Sequence, residues 1–256
     1  MARAFLLVAV VALLLAAPSR AQVAVSFPAA DGVTVHGDFY TPSGPSRGMV
    51  LLFHQSMSNR GEYETLGERF GAAGYFALAI DQRAGGYRWG RANLTMSGIG
   101  PEASERIQRE GRLASALLDL EAALAYADKR SARPIIAIGS GYSASLLFPL
   151  AARHPKLVSA VLAFSPDEYF YDLSVREAAA RVRCPVFVAS ENAPYAIAAA
   201  EALLDAVPAP IRVVFRPRHA TPGVTMLRRD VNPRGGGENW AAVMEFLALV
   251  EEQPPA

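Results

Sequence analysis

Short apolar runs alternate along this chain with longer stretches that have helical periodicity. The runs at 49–53, 75–80 and 135–138 are almost continuously apolar, which is typical of strands buried on both faces of a parallel sheet. Further runs of this kind lie at 157–164, 186–189 and 211–215. Because helix-like stretches separate these strands, the pattern predicts crossover connections and a doubly wound α/β sheet.

The helix-like stretches have apolar residues at a spacing of three to four. The longest has Leu113, Leu117, Leu120 and Leu124 on one stripe, which predicts a helix that packs on the sheet. The predicted helices span 63–72, 105–129, 143–153, 175–180, 197–206 and 240–250.

An N-terminal hairpin completes the predicted sheet. Two alternating strands, 23–27 and 33–40, flank Asp31 and Gly32, a turn sequence typical of hairpins. The prediction is an eight-stranded, mostly parallel sheet with an antiparallel hairpin at its start. No other stretch is long enough to form a large cap domain.

Residues 1–21 have the pattern of a secretory signal peptide. Arg3 precedes an apolar run, and Ser19-Arg20-Ala21 supplies small residues for cleavage. The apolar run is short for a membrane span, so we expect cleavage after Ala21, no stable membrane anchor, and a single secreted or periplasmic domain at 22–256.

Charge and cysteine content exclude several classes of protein. The net charge of +1 becomes −1 once two arginines leave with the signal peptide, which provides no electrostatic surface for nucleic acid. The single cysteine, Cys184, excludes an internal disulfide and a cysteine metal cluster, and its place at a strand mouth favours a packing role. No metal or organic cofactor is expected.

The fifth strand is followed at once by small residues around Ser143 and then by a helix. A serine hydroxyl is a weak nucleophile unless a sharp turn presents it to a base. The segment Gly141-Tyr142-Ser143-Ala144-Ser145 matches the G-x-S-x-G pattern of a nucleophile elbow, with serine as its last residue. With His54, Asp81 and a late His219 after other strands, the chain resembles the α/β-hydrolases, in particular small dienelactone-hydrolase-like esterases.

The resemblance implies a catalytic triad in which Ser143 is the nucleophile and a histidine is the base. His219 follows the last strand, where this fold keeps its base, and is preferred over His54, which in similar chains holds the oxyanion loop. His36 in the hairpin and His154 at a helix end lie away from the elbow.

Two groups of acids compete for the third position of the triad. Glu191 directly follows the seventh strand and gives the chain order serine, acid, histidine of this fold. The alternative acids, Asp167 and Glu168, follow the sixth strand, and they equally suit a helix N-terminus, where acids are favourable.

The expected oxyanion donors are backbone amides. The residue after the nucleophile, Ala144, would supply one. The turn after the third strand would supply the other, from Ser56 or, as the second choice, from Gln55.

Four side chains are expected to line the pocket: His54, Tyr142, Tyr87 and Trp89. The last two belong to a loop at 87–100 that forms either the pocket mouth or a surface excursion. Asp81 is expected to tie loops together.

The sequence therefore predicts a serine hydrolase that cleaves a small-molecule carboxylic ester, or a thioester, through an acyl-enzyme. Gln55, Ser145 and Ala220 stand where relatives often have glycine. These departures favour the alternative, a catalytically silent α/β-hydrolase-like protein that binds a ligand in the same cleft.

Overall fold

The computed structural model describes residues 22–109 and 111–253. The predicted signal peptide at 1–21 lies outside the described residues. All eight predicted strands are present. They are β1 (Gln22–Pro28), β2 (Thr34–Tyr40), β3 (Met49–Phe53), β4 (Phe76–Ile80), β5 (Ile135–Ser140), β6 (Val158–Phe164), β7 (Val186–Ala189) and β8 (Arg212–Phe215).

The strands form one sheet in the order β1-β2-β4-β3-β5-β6-β7-β8. β2 is antiparallel to both of its neighbours, and β3 to β8 are mutually parallel. The carboxyl ends of the parallel strands therefore meet at one edge, where open α/β sheets place their ligands. The predicted fold class is confirmed.

Helices cover both faces of the sheet. They are α1 (Glu64–Ala72), α2 (Leu94–Ser97), α3 (Pro101–Arg109), α4 (Arg112–Ser115), α5 (Leu117–Asp128), α6 (Tyr142–Arg153), α7 (Val175–Ala179), α8 (Pro194–Ala206) and α9 (Gly236–Glu251), with 3-10 turns at Arg60–Tyr63 and Gly223–Leu227. Apolar residues of α1 and α9 pack on one face, and those of α5 to α8 pack on the other.

The long helix predicted at 105–129 is instead three helices, α3 to α5. Gly111 has φ +82, in the left-handed region that a helix cannot continue through and that glycine adopts without strain. The chain therefore turns between α3 and α4, although the leucine stripe still faces the core in α5.

Among the residues that the structure describes, no helix is both long and apolar enough to cross a lipid bilayer.

Candidate functional site

The sharp turn between β5 and α6 is made by Gly141. The strand ends at Ser140 and the helix begins at Tyr142. Gly141 alone separates them, with φ +60 and ψ −125, and its N–H donates to the carbonyl oxygen of Phe164 on β6 at 2.9 Å. A nucleophile elbow places its nucleophile on this strained strand-to-helix turn. The residue in that place here has no side chain.

Ser143 lies two residues beyond the turn, inside the protein. Its side chain is fully buried. Its hydroxyl donates to the carbonyl oxygen of Phe53 at 2.6 Å and accepts from the N–H of Ser140 at 3.0 Å. The prediction that Ser143 is the nucleophile is therefore wrong: its hydroxyl bonds the end of β3 and does not face a cleft.

The small residues that flank the turn are Gly139 and Ser143, not Gly141 and Ser145. A Cβ on Gly139 would lie 2.7 Å from the backbone nitrogen of Ala144, so glycine is needed for α6 to start this close to β5. Ser145 instead uses its hydroxyl to bond the backbone N–H and carbonyl of Asp167.

The three backbone amides predicted to bind an oxyanion differ in their position and hydrogen bonding in the structure. The turn lies at Gly141, two residues before Ser143, so the residue after it is Tyr142 and not Ala144. The assignment of Ala144 as an oxyanion donor is therefore wrong. Ala144 is buried against Gly139. The N–H of Gln55 donates to Glu62 Oε2 at 3.0 Å, so this amide is already bound. The N–H of Ser56 makes no hydrogen bond to any described residue, and its assignment stays a prediction.

Glu62 is a buried carboxylate that sequence reasoning missed. Besides the Gln55 amide, it accepts a hydrogen bond from the hydroxyl of Ser140 at 2.7 Å, and that hydroxyl accepts from the N–H of Val224 at 3.0 Å. Burial raises the pKa of Glu62. This carboxylate holds together the loop after β3, the elbow and the loop after β8. The polar residues next to Glu62 in the sequence predict only a loop and a helix start.

His54 is fully buried and does not line an open pocket. Its Nδ1 is 2.7 Å from the carbonyl oxygen of Gln55, and its Nε2 accepts from the N–H of Gln82 at 2.9 Å. These partners assign the proton to Nδ1. Burial lowers the pKa of His54 to about 4, so the ring is neutral near pH 7 and both nitrogens are occupied. It holds the loop after β3 against the loop after β4 and is not a free base.

Glu191 binds Ser165 at the sheet edge. Its Oε2 accepts from the Ser165 hydroxyl at 2.5 Å, and the same hydroxyl accepts from the N–H of Gly223 at 3.0 Å. Ser165 follows β6 directly and has φ +56, unusual for a residue with a side chain. Among the described residues, Glu191 makes no hydrogen bond or ion pair with His219.

His219 is exposed in the loop after β8. Its carbonyl oxygen accepts from the side-chain amides of Asn232 and Asn239 at 2.9 and 3.0 Å, which fixes the backbone. Its ring makes no hydrogen bond to any part of the chain that the structure describes. The structure thus places His219 and Glu191 at the predicted edge but does not join them into a triad.

The alternative acids have backbone roles. The carboxylate of Glu168 accepts from the N–H groups of Val175 and Arg176, both at 2.8 Å, and so caps the start of α7. Asp167 accepts from the N–H of Glu168 at 2.7 Å. This agrees with a helix N-terminal role for Glu168, whereas no helix begins at Asp167.

Asp81 anchors the loop at 87–100 to the loop after β3. Asp81 accepts from the N–H groups of Arg60 at 2.9 Å and Leu94 at 2.7 Å and forms a buried ion pair with the Arg60 guanidinium. The prediction that Asp81 ties loops together is confirmed. Behind the loop lies a cavity of about 130 Å³, lined by Arg83, Met96, Ile99, Ser104, Ile107 and Gln108.

The predicted pocket aromatics differ in exposure. Tyr142 is buried, and its hydroxyl accepts from the side-chain amide of Gln82 at 3.0 Å, so it does not line an open pocket. Tyr87 is 76% exposed. Trp89 donates to the hydroxyl of Ser58 at 3.0 Å and has the Arg228 guanidinium 4.2 Å from its ring centroid, so it is braced against the loop after β8.

Within the described residues, no group of three or more histidine, cysteine, aspartate or glutamate side chains could hold a metal ion. Cys184 is half-buried, and burial raises the pKa of its thiol to about 12, which fits the predicted packing role.

Solved structures share this architecture. An esterase of Pyrococcus furiosus superposes with a TM-score of 0.64 at 17% identity, covering 90% of this chain and 92% of that one. A dienelactone hydrolase of Anabaena variabilis superposes with a TM-score of 0.63 at 20% identity, covering 89% and 95%. The chain is an α/β-hydrolase by fold.

Sequence comparison adds a partial match. A monoacylglycerol lipase of Mycolicibacterium smegmatis is 29% identical over 148 residues, which are 57% of this α/β-hydrolase chain and 48% of that protein. The match therefore spans about half the length of the lipase. No protein-family model matches the chain. The similar proteins carry the names of ester-acting hydrolases.

Proposed function

We propose that this protein binds a small carboxylic ester, or its acid, at the carboxyl edge of the sheet without forming an acyl-enzyme at the elbow. The observation that carries the proposal is the glycine on the strand-to-helix turn. The elbow of this fold presents its nucleophile at that turn, where this chain has no side chain, and Ser143 is too buried to replace it.

Other parts of an ester-binding site remain in place. The Ser56 amide faces no partner among the described residues, and α6 starts directly behind the turn, where a helix favours negative charge. The similar proteins are named an esterase, a dienelactone hydrolase and a monoacylglycerol lipase, and these names agree with a ligand that has an ester carbonyl.

The test combines labelling with binding. Purified protein is incubated with a fluorophosphonate probe and with short-chain nitrophenyl esters, and its melting temperature is measured with non-hydrolysable ester analogues and carboxylic acids. We expect no labelling at Ser143 and a melting temperature that rises with ligand concentration. Labelling of Ser143, or absence of any binding, would refute the proposal.

Ester cleavage is the second candidate function, and the contact between Ser165 and Glu191 favours it. Here Ser165 Oγ would attack the ester carbonyl and its proton would pass to Glu191. The bond to the alcohol oxygen would break, and the alcohol would leave with that proton from Glu191. Water would then attack the acyl-enzyme, releasing the acid and returning a proton to Ser165 Oγ. Turnover that disappears in Ser165→Ala but persists in Ser143→Ala would establish this route. Equal turnover in both variants would exclude it.

The location is also a proposal. The N-terminal pattern supports export to the periplasm or the medium, with cleavage after Ala21. The mass of the protein recovered from the periplasmic fraction tests this: a mature chain that begins at Gln22 is expected, and an uncleaved cytoplasmic chain would contradict it.

A further inference from the structure

We infer that the cavity behind the loop at 87–100 is a second ligand site, and that it takes a neutral molecule about the size of one six-membered ring with a hydroxyl or carbonyl group. The cavity has a volume of about 130 Å³ and is lined by Arg83, Met96, Ile99, Ser104, Ile107 and Gln108. None of these residues belongs to the elbow, to the loop after β3 or to the loop after β8. The site is therefore additional to the carbonyl site of the proposed function.

The volume of the cavity sets the size of the ligand. An apolar protein cavity of about 150 Å³ holds one benzene molecule, and the volume here is about 130 Å³. A single ring, or a short chain with a similar number of non-hydrogen atoms, therefore fits. Two fused rings are too large.

The wall of the cavity has an apolar part and a polar part. Met96, Ile99 and Ile107 supply the apolar part. Ser104 and Gln108 supply polar side chains, which make no hydrogen bond to any residue that the structure describes. An ordered water needs two to four polar partners, and the apolar part provides none. A ligand with an apolar body and one polar group matches both parts of the wall.

The charged residue of the wall, Arg83, has its charge balanced by its neighbours. Its buried guanidinium pairs with Asp31 and Asp119, and Arg106 pairs with Asp31 as well. Two carboxylates thus face two guanidinium groups, so a ligand ion would find no unpaired charge and would lose its hydration.

Arg83 nevertheless has a donor left for a neutral ligand. Its side chain has five N–H groups, and four of them donate to Asp31 and Asp119. The fifth, on Nη1, has no acceptor within the described part of the chain. The oxygen of a hydroxyl or carbonyl group is the acceptor that it lacks.

The walls of the cavity are fixed by hydrogen bonds. Asp31 Oδ2 accepts from Arg83 Nη1 at 2.7 Å and from Arg106 Nη2 at 2.8 Å, so one oxygen ties the wall at Arg83 to helix α3. The side-chain oxygen of Asn93 accepts from the N–H of Met96 at 2.8 Å, which fixes the start of α2. Walls that are ordered before binding cost little conformational entropy when a ligand enters.

The first experiment measures the binding of phenol to the full chain by calorimetry and thermal unfolding. We expect saturable binding with a Kd of about 0.1–10 mM and a melting temperature that rises with phenol concentration. Ser104→Leu places a larger side chain in the cavity and should weaken binding by about tenfold or more. Glu105→Leu is the matched control on the same helix, because its side chain is 75% exposed, and it should bind phenol like the unaltered protein.

The second experiment locates the ligand and does not need Ser104→Leu to fold. In Ser104→Cys, phenol at ten times its Kd should slow modification of the introduced thiol by iodoacetamide about tenfold, because about a tenth of the protein is then free. The thiol introduced by Glu105→Cys should react at the same rate with and without phenol. Burial raises the pKa of the Cys184 thiol to about 12, so its reaction is slow in both variants.

Several results would overturn the second site. They are the absence of saturable phenol binding, equal binding by Ser104→Leu and Glu105→Leu, and a thiol at position 104 that phenol does not protect. Benzoate that binds as tightly as phenol would contradict a neutral ligand, and 2-naphthol that binds as tightly would contradict the size limit. Binding of ester analogues at the carboxyl edge is a separate measurement, and its failure would leave these results unchanged.

Discussion

The Ser143 hydroxyl donates a hydrogen bond to the carbonyl oxygen of Phe53, 2.6 Å away, and so joins the start of α6 to the end of β3. Both residues are fully buried. Ser143 is thus a structural residue that stands two positions from the place of a nucleophile.

Ser143→Ala should therefore lower stability and leave ligand binding unchanged. The substitution leaves the buried N–H of Ser140 without its acceptor, which typically costs about 1–3 kcal/mol. The carbonyl of Phe53 keeps its hydrogen bond from the Tyr63 hydroxyl. Urea unfolding followed by circular dichroism measures the loss. Ser26→Ala, on the exposed side of β1, is the control and should change stability by less than about 0.5 kcal/mol. A stable Ser143→Ala protein that no longer binds would contradict this role.

The apolar pattern predicts the strands correctly but misplaces the elbow. The error comes from the predicted end of the fifth strand. The predicted fifth strand stopped at Ile138, where the apolar run ends, but β5 continues through Gly139 and Ser140. Parallel pairing with Ala163 and Phe164 extends it, and backbone hydrogen bonds of this kind need no apolar side chain. The two added residues move the turn from the neighbourhood of Ser143 to Gly141.

The links between loops could not be predicted either. Glu62 and Ser140 are 78 positions apart, and Glu191 and Ser165 are 26 apart. Such contacts depend on how the strand ends meet in space, and local patterns carry no signal for them. In contrast, the sequence predicts the correct edge for Asp81, which directly follows β4, and for His219, which lies in the loop after β8.

The buried ring of His54 should make stability depend on pH. Its pKa is about 4 in the folded protein and near 6.5 when exposed. Between these values the unfolded chain binds a proton that the native chain does not. The stability that this difference contributes is fully present above about pH 6.5 and is lost as the pH falls toward 4, with a total of about 3 kcal/mol.

Urea unfolding at pH 7.5 and pH 4.5 checks this expectation. The loss of stability between the two conditions should be smaller in His54→Gln, which has no titrating ring, than in the unaltered protein. His36→Gln, on β2, is the control for replacing a histidine by glutamine elsewhere in the fold. The expectation is wrong if His54→Gln and the unaltered protein lose the same amount.

Substitution of Asp81 should lower the free energy of unfolding more than substitution of most other charged residues. Asp81→Asn leaves the Arg60 guanidinium buried with one carboxylate fewer, and it turns an acceptor for two backbone N–H groups into an amide. Removing one partner of a buried ion pair typically costs about 3–5 kcal/mol. Thermal and urea unfolding measure the loss.

The control for Asp81 is an exposed ion pair. Arg153 contacts Glu121 at 3.0 Å with its side chain 55% exposed, so Arg153→Ala should cost less than about 1 kcal/mol. Comparable losses in the two variants would mean that the loop at 87–100 does not depend on the buried pair.

Gly139→Ala tests the register of the elbow directly. The new Cβ would lie 2.7 Å from the nitrogen of Ala144 and 2.8 Å from the carbonyl carbon of Ser143, so the first turn of α6 must move away from β5. Such overpacking typically costs about 1–3 kcal/mol. Gly44→Ala is the matched control, because nothing lies within 4 Å of its Cβ position, and we expect it to be neutral or slightly stabilising. If Gly139→Ala were as stable as Gly44→Ala, the helix would not start against Gly139, and the assignment of Gly141 to the nucleophile turn would lose its support.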